Sequence, residues 1–188
     1  MILGINSAGI TTTMAIVNDG GIIAEIDFTS AANEASKMLP WIKEQNIDYK
    51  DIKRVVCVVG PGSYTGLRVG ITIANGFASQ LQVPITTLNL FEYWRLGLKE
   101  EVDAIIFNAG RDEVYYQEIP SGAITIKPLE SISGKIAGQI LERDKGRLKL
   151  IGFDQLKSFG QIIQKIEFSK YPEVKLSEPL YIREPDTH

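Results

Sequence analysis

The run Gly60-Pro61-Gly62-Ser63-Tyr64-Thr65-Gly66-Leu67-Arg68-Val69-Gly70 is the part of this sequence whose residue types and spacing could do chemistry. Gly60 and Gly62 open dihedrals that are closed to other residues, and Pro61 fixes one angle between them. Ser63 or Thr65 can cap a following helix by accepting from its free backbone amides. Free amides at a helix start also favour an anion. The run is not a P-loop, because no lysine follows its final glycine in the G-K-[ST] arrangement. Two readings therefore stand, a strand-to-helix turn and an anion cradle.

Nucleophilic and metal chemistry find few residues elsewhere. The one histidine is His188, the last residue, and the one cysteine is Cys57, inside the apolar run Val55–Val59. A Ser-His or Cys-His pair has no internal histidine to use, so Ser7 and Ser63 read as caps. One cysteine makes neither a disulfide framework nor a thiolate metal site, and Cys57 reads as a core thiol. No catalytic residue, metal or cofactor is expected. The net charge is −3, from 20 basic and 23 acidic side chains. A protein gripping a polyanion alone carries a basic excess, so contact with nucleic acid is expected to be indirect. The local basic cluster Arg143, Lys145, Arg147 and Lys149 reads as a solvated turn and strand edge. Val69–Phe91 lacks formal charge, yet Thr72, Asn75, Ser79, Gln80, Gln82 and Pro84 would face lipid, so it is not a membrane span. With no basic segment ahead of an apolar h-region, a cytoplasmic location is expected.

The elements that must position these residues follow from periodicity. The chain has 188 residues, 44% of them hydrophobic, enough for one large domain or two small lobes. Ile2–Asn6, Thr12–Val17 and Ile22–Asp27 read as strands, the last two joined by the turn Asn18-Asp19-Gly20-Gly21. Ala32–Gln45 reads as a helix with Ala35, Met38, Leu39 and Ile42 on one face and Pro40 within it. Arg54–Val59 reads as a buried parallel strand, Thr65–Leu81 as a second helix and Ile85–Leu88 as a further strand. After about Val102, strands are expected at Ala104–Asn108, Glu113–Ile119 and Ala123–Pro128. A helix over Ile132–Glu142, a strand over Leu148–Gly152 and an amphipathic stretch over Leu156–Phe168 complete the pattern. Three antiparallel strands followed by helical crossovers into parallel strands is the order of the ribonuclease H-like unit. The expected fold is α/β and two-lobed, actin-like, with lobes at 1–102 and 103–188 and the second small and abbreviated.

The run GPGSYTGLRVG is similar to the GPGS-aromatic-TGLR-aliphatic-G hallmark of the TsaB (YeaZ) family. Met38-Leu39-Pro40-Trp41-Ile42 resembles the LLP-containing first helix of that family. Glu113-Val114-Tyr115-Tyr116 resembles its EVYY-like strand, and Pro179-Leu180-Tyr181-Ile182-Arg183 its closing P-x-Y-x-R. The resemblance covers nearly the whole chain and is strongest over residues 1–95. It implies an actin-like fold and a non-catalytic subunit that pairs with the related catalytic subunit TsaD. With the small ATPase TsaE, the pair would form threonylcarbamoyladenosine beside the anticodon of tRNAs reading codons that begin with A.

Actin-like ATPases place an Asp at the end of the first strand of each lobe, where carboxylates organise the nucleotide's magnesium. The matching positions here are Asn6 and Asn108, both amides. An amide keeps hydrogen bonding and gives up charge, which argues against nucleotide–magnesium binding; each Asn can equally cap a turn. The rival reading of a free-standing actin-like kinase or ATPase lacks its acids. A metallopeptidase-like reading lacks the histidine pair that the TsaD relatives carry on the first helix.

The expected partner surface lies on the two helices. Leu67, Ile71, Ala74, Ala78 and Leu81 form one apolar stripe of the second helix, and Val69, Ile73 and Phe77 form another. Two apolar faces suit either burial within the chain's own fold or a helix shared with a partner. Met38, Trp41 and Ile42 on the first helix, with Leu67, Arg68, Ile71, Thr72, Asn75 and Ala78 on the second, are the expected partner-binding residues. The resemblance implies that these helices meet TsaD, and a second copy of the chain when TsaD is absent.

Overall fold

The computed structural model describes residues 1–29, 34–141, 150–152 and 155–182. Chain order is β1 (Ile2–Asn6), β2 (Thr11–Asn18), β3 (Gly21–Thr29), α1 (Glu34–Glu44), β4 (Arg54–Val58), α2 (Tyr64–Leu81), β5 (Ile85–Leu88) and α3 (Leu90–Gly97). Then come β6 (Ala104–Gly110), β7 (Glu113–Glu118), β8 (Thr125–Pro128), β9 (Ile136–Gln139), β10 (Leu150–Ile151), α4 (Phe159–Ile163) and β11 (Glu173–Val174). The chain divides into two compact units, Met1–Tyr93 with Ser158–His188, and Trp94–Lys157.

The first unit is built on a sheet ordered β11-β5-β4-β1-β2-β3. β1, β2 and β3 are antiparallel neighbours, while β4 runs parallel to β1 and β5 parallel to β4. The central strands are apolar because both faces are covered: Leu3, Ile5, Val55, Val56 and Cys57 are fully buried. The second unit repeats the scheme, with its sheet ordered β10-β9-β6-β7-β8. β6, β7 and β8 are antiparallel, β9 is parallel to β6 and β10 to β9. Ala104, Ile106, Val114, Leu129, Ile132, Ile136 and Ile140 form its core. The expected α/β class, built from two ribonuclease H-like units, is the one observed.

Two expectations are corrected. The helix expected over Ile132–Glu142 is instead a 3-10 turn at Leu129–Ser131 followed by strand β9. Ile132, Ile136 and Ile140 recur every four residues as on a helix face, but Gly134 and Gly138 break such a helix and isoleucine suits a strand. Gly138 sits at φ +146° with its Cα so near the Ile106 carbonyl that a Cβ would lie 1.8 Å from that oxygen. The boundary at 103 also fails for the chain's last segment. From Ser158 onward the chain belongs to the first unit, where α4 packs on β2 and β3 and β11 adds an edge strand beside β5. The amphipathic stretch Leu156–Phe168 buries Leu156, Phe159, Ile162, Ile163 and Ile166 and carries the five-residue α4, with a 3-10 turn at Phe168–Lys170. Arg143, Lys145, Arg147 and Lys149 lie outside the described residues, as do Arg183, His188 and the first residues of the helix expected from Ala32.

What positions α2 is a flush seat on the turn that leaves β1. The Ser63 amide donates to the Ala8 carbonyl at 3.0 Å, and the Ser7 hydroxyl donates to the Gly66 carbonyl at 2.7 Å. Ser63 also caps the helix, accepting from the Gly66 amide at 3.2 Å. The glycines of the hallmark run make the approach close enough for these bonds. A Cβ would lie 1.9 Å from the Ala8 carbonyl oxygen at Gly62, 2.5 Å from the Ser7 carbonyl oxygen at Gly66 and 2.1 Å from the Ser7 Oγ at Gly70. Gly76, further along the same helix, has no atom within 4 Å of the equivalent point. Alanine at the two helical positions therefore has opposite effects. Gly66→Ala should cost about 1–3 kcal/mol by forcing α2 off its seat, whereas Gly76→Ala should add roughly 0.5–1 kcal/mol by helix propensity. Urea unfolding of the two variants measures both signs.

Candidate functional site

The two asparagines at the ends of the first strands are built into turns. Asn6 is 1% exposed, and its Oδ1 accepts from the Ala8 amide at 3.1 Å. The Tyr93 hydroxyl lies beside Asn6 and 3.5 Å from the Thr13 hydroxyl. Burial pushes that hydroxyl's pKa well above the ordinary tyrosine value, and the neighbouring Thr13 and Asn6 side chains only partly offset this. Asn108 repeats the device in the second unit, its Oδ1 accepting from the Gly110 amide at 3.3 Å. Each side chain mimics a turn by bonding its own backbone two residues on. The amides hold the turn shape rather than presenting charge.

Carboxylates do exist beside Asn6. Register places Asn6 opposite Thr13 on β2, and Thr13 opposite Asp27 on β3. Burial, and next the neighbouring Glu25, hold the Asp27 carboxyl above the usual carboxylate range. Glu25 is itself occupied, accepting from the Gly160 amide of α4 at 3.2 Å. Among the described residues no three His, Cys, Asp or Glu side chains come together as a metal site. The row suits hydrogen bonding between strands.

At the start of α2, the strand-to-helix turn is the reading the geometry supports. The amides of Ser63, Gly66 and Leu67 are taken by Ala8, by the Ser63 side chain and by the Ser63 carbonyl. The Gly60 carbonyl accepts from the Leu90 amide at 2.6 Å across a cis Gly60–Pro61 bond. Two of the amides an anion would use, those of Ser63 and Gly66, are thus spent inside the chain.

Six of the nine residues expected to bind a partner are core. Met38, Ile42 and Leu67 are at most 1% exposed, Ala78 2%, Ile71 5% and Trp41 9%. The first apolar stripe of α2 lies in the core against β4, β1 and β5, and α1 packs beside the helix. The periodicity was that of a helix covered on two sides by its own fold. Asn75 is taken as well. Its Oδ1 accepts from the amide and the hydroxyl of Ser177, each at 2.8 Å, and its Nδ2 donates to the Ser177 carbonyl at 3.0 Å. Arg68 and Thr72 remain exposed. They lie on a ridge with Thr65, Gly76 and Ser79, all exposed and none of them large and apolar. Leu39 of α1, 49% exposed, and Tyr64, 42% exposed, are the exposed large apolar side chains on these two helices. The Arg68 guanidinium lies 4.4 Å from the centre of the Tyr64 ring, which stacks on Tyr181.

Ser177 and Tyr181 were not among the expected site residues. The closing P-x-Y-x-R pattern marked the segment, but no local spacing says that it packs on a helix some hundred residues earlier. No helix among the described residues is long and apolar enough to cross a membrane.

Comparison with known proteins places this geometry. A family model described as "TsaD: tRNA N6-adenosine threonylcarbamoyltransferase" matches residues 10–137. The tRNA threonylcarbamoyladenosine biosynthesis protein TsaB of Bacillus subtilis (strain 168) is 29% identical over 120 residues, 61% of this chain and 52% of that protein. The protein of the same name from Escherichia coli (strain K12) is 31% identical over 126 residues, 62% of this chain and 54% of that one. The chain thus spans about half the length of the curated relatives it matches. The solved structure of YeaZ from Pseudomonas aeruginosa superposes with a TM-score of 0.73 at 16% identity, covering 96% of this chain and 99% of that one, which shows a shared fold. Matched by that model over well over half of its length, the chain belongs to the TsaD family, and its curated relatives include both TsaB proteins and tRNA N6-adenosine threonylcarbamoyltransferases, such as that of Neorickettsia sennetsu (strain ATCC VR-367 / Miyayama), 31% identical over 116 residues.

Proposed function

We propose that this chain is an accessory, non-catalytic subunit in the synthesis of threonylcarbamoyladenosine on tRNA. The observation that carries the reading is the state of Asn6. The position where an actin-like enzyme keeps a metal-organising carboxylate holds a buried amide, already bonded to the Ala8 amide and set beside Tyr93. The names of the TsaB relatives supply the pathway. A TsaD-type transferase is the proposed partner, with a TsaE-type ATPase acting through the assembly, tRNA contacted through its partners and the cytoplasm as its location. A second copy of the chain is the proposed partner when the transferase is absent.

The proposed docking surface is the ridge Arg68, Thr72 and Gly76 of α2 with Leu39 of α1. Small side chains let a second helix approach closely, and Gly76 leaves open space above it. An exposed Arg and Tyr at one end are residue types that anchor interfaces. The buried Trp41 and Ile71 are poor probes, because changing them opens cavities in the core.

Two measurements test the reading. Thr72→Arg fills the ridge without touching the core. It should weaken association with a TsaD-type transferase by at least about thirtyfold, as loss of a central anchor does, while the thermal midpoint stays near that of the parent chain. Parental affinity in a titration of the folded variant would place the interface elsewhere. The purified chain should also show no magnesium-dependent ATP hydrolysis above background. A rate that disappears when Asn6 or Asn108 is changed would restore the free-standing ATPase reading.

A further inference from the structure

The last described segment, Leu176–Ile182, is held differently from the rest of the first unit. Just before it the chain is anchored. β11 pairs with β5, and Arg54 joins Glu173 in an ion pair, donates to the Thr86 hydroxyl at 2.7 Å and lies 4.6 Å from the Phe168 ring centre. Beyond Lys175 the fastenings become few and polar. Ser177 makes its three bonds to Asn75, the Leu180 amide donates to the Val59 carbonyl at 2.7 Å, and Tyr181 stacks on Tyr64 at 5.6 Å. Leu176 is 61% and Tyr181 38% exposed, and Pro179, Leu180 and Ile182 are half-buried, so no apolar side chain of the segment lies fully in the core. Segments with few buried apolar contacts open at low free-energy cost while the core stays folded.

Two features give such an opening consequences. Ser177 is 3% exposed and lies beside the fully buried thiol of Cys57, the sole cysteine of the sequence. Tyr181 meanwhile braces Tyr64, whose ring carries the Arg68 guanidinium at one end of the α2 ridge. No ion pair to Arg68 occurs among the described residues, so this end of the ridge suits a partner that brings a carboxylate.

We infer that Leu176–Ile182 is a latch on α2 that opens without global unfolding, and that its closed form completes the partner-docking surface at Tyr64 and Arg68. The coupling to a partner rests on the function proposed above; the latch itself does not. If a partner recognises the closed form, docking must hold the latch shut, because a ligand that prefers one state shifts the equilibrium toward it.

Cys57 makes the test direct, because a thiol reagent such as DTNB reads how often the cover over the sole cysteine lifts. A latch predicts that labelling in native buffer is nearly independent of urea below the unfolding transition. Asn75→Ala removes the side chain that receives Ser177 and should speed labelling about tenfold, still with little urea dependence. Tyr181→Ala, which leaves α2 intact, should act in the same direction. A labelling rate that follows the full urea slope of global unfolding in the parent and both variants overturns the latch. In a second arm, a saturating TsaD-type transferase should slow labelling of the parent at least about tenfold and leave Thr72→Arg unaffected. Binding without slowing overturns the coupling and leaves the proposed function standing. Failure of the transferase to bind the parent overturns the proposed function, while the urea and Asn75→Ala results still decide the latch.

Discussion

The first unit depends on how closely the start of α2 lies against the turn leaving β1. Three glycines at intervals of four, Gly62, Gly66 and Gly70, remove every Cβ that would hold the two apart. Ser7 and Ser63 then tie the surfaces together with bonds that need this spacing. Because β1 is central, flanked by β2 and β4, the contact also fixes where α2 lies on the sheet and which of its faces stays outside. The ridge bearing Arg68 and Thr72 is exposed because the opposite face of the helix has been pulled onto the sheet. A hallmark that resembles a phosphate-binding loop on paper thus acts as a packing device, and its glycines serve approach by the protein's own backbone.

The same seat explains what the two asparagines do. A carboxylate at the end of β1 would be buried beside the Ala8 amide and the Tyr93 hydroxyl, with Asp27 and Glu25 two strands away on the same sheet. An additional negative charge there would face the desolvation that already raises the Asp27 pKa. An amide accepts the same turn hydrogen bond at no charge. That Asn108 closes the equivalent turn of the second unit shows one local solution used in both repeats.

Much of this was legible in the sequence, and the failures have physical causes. Alternation, turn residues and apolar runs gave most strands of both units, though not β9 or β11, since those patterns reflect each strand's own burial. The helix expected over Ile132–Glu142 failed because a fully buried parallel strand has no alternation to contradict a four-residue apolar spacing. Gly134 and Gly138 were the available warning. Six of the nine expected partner residues turned out buried for a related reason. Apolar periodicity reports that a face is covered, not by what, and for Met38, Ile42, Leu67 and Ala78 the cover is the chain itself. Asn75 could not have been assigned from α2 alone, because its partner Ser177 arrives from the far end of the chain.

That long-range bond bears on how the outer surface of α2 is made. Removing the six buried residues from the expected set leaves Arg68, Thr72 and Asn75, of which only Arg68 is of a type that dominates interfaces. The anchors present, Tyr64 and Arg68, sit at one end and are braced by Tyr181 from a different part of the sequence. A surface assembled in this way has a composition set by two segments and a stability set by the weaker one. The segment holding Tyr181 is fastened by hydrogen bonds worth about 1 kcal/mol each rather than by core burial. Its seating can therefore change while the sheet beneath it does not, and the affinity of anything docking on α2 would fall with the fraction of molecules in which that segment is seated.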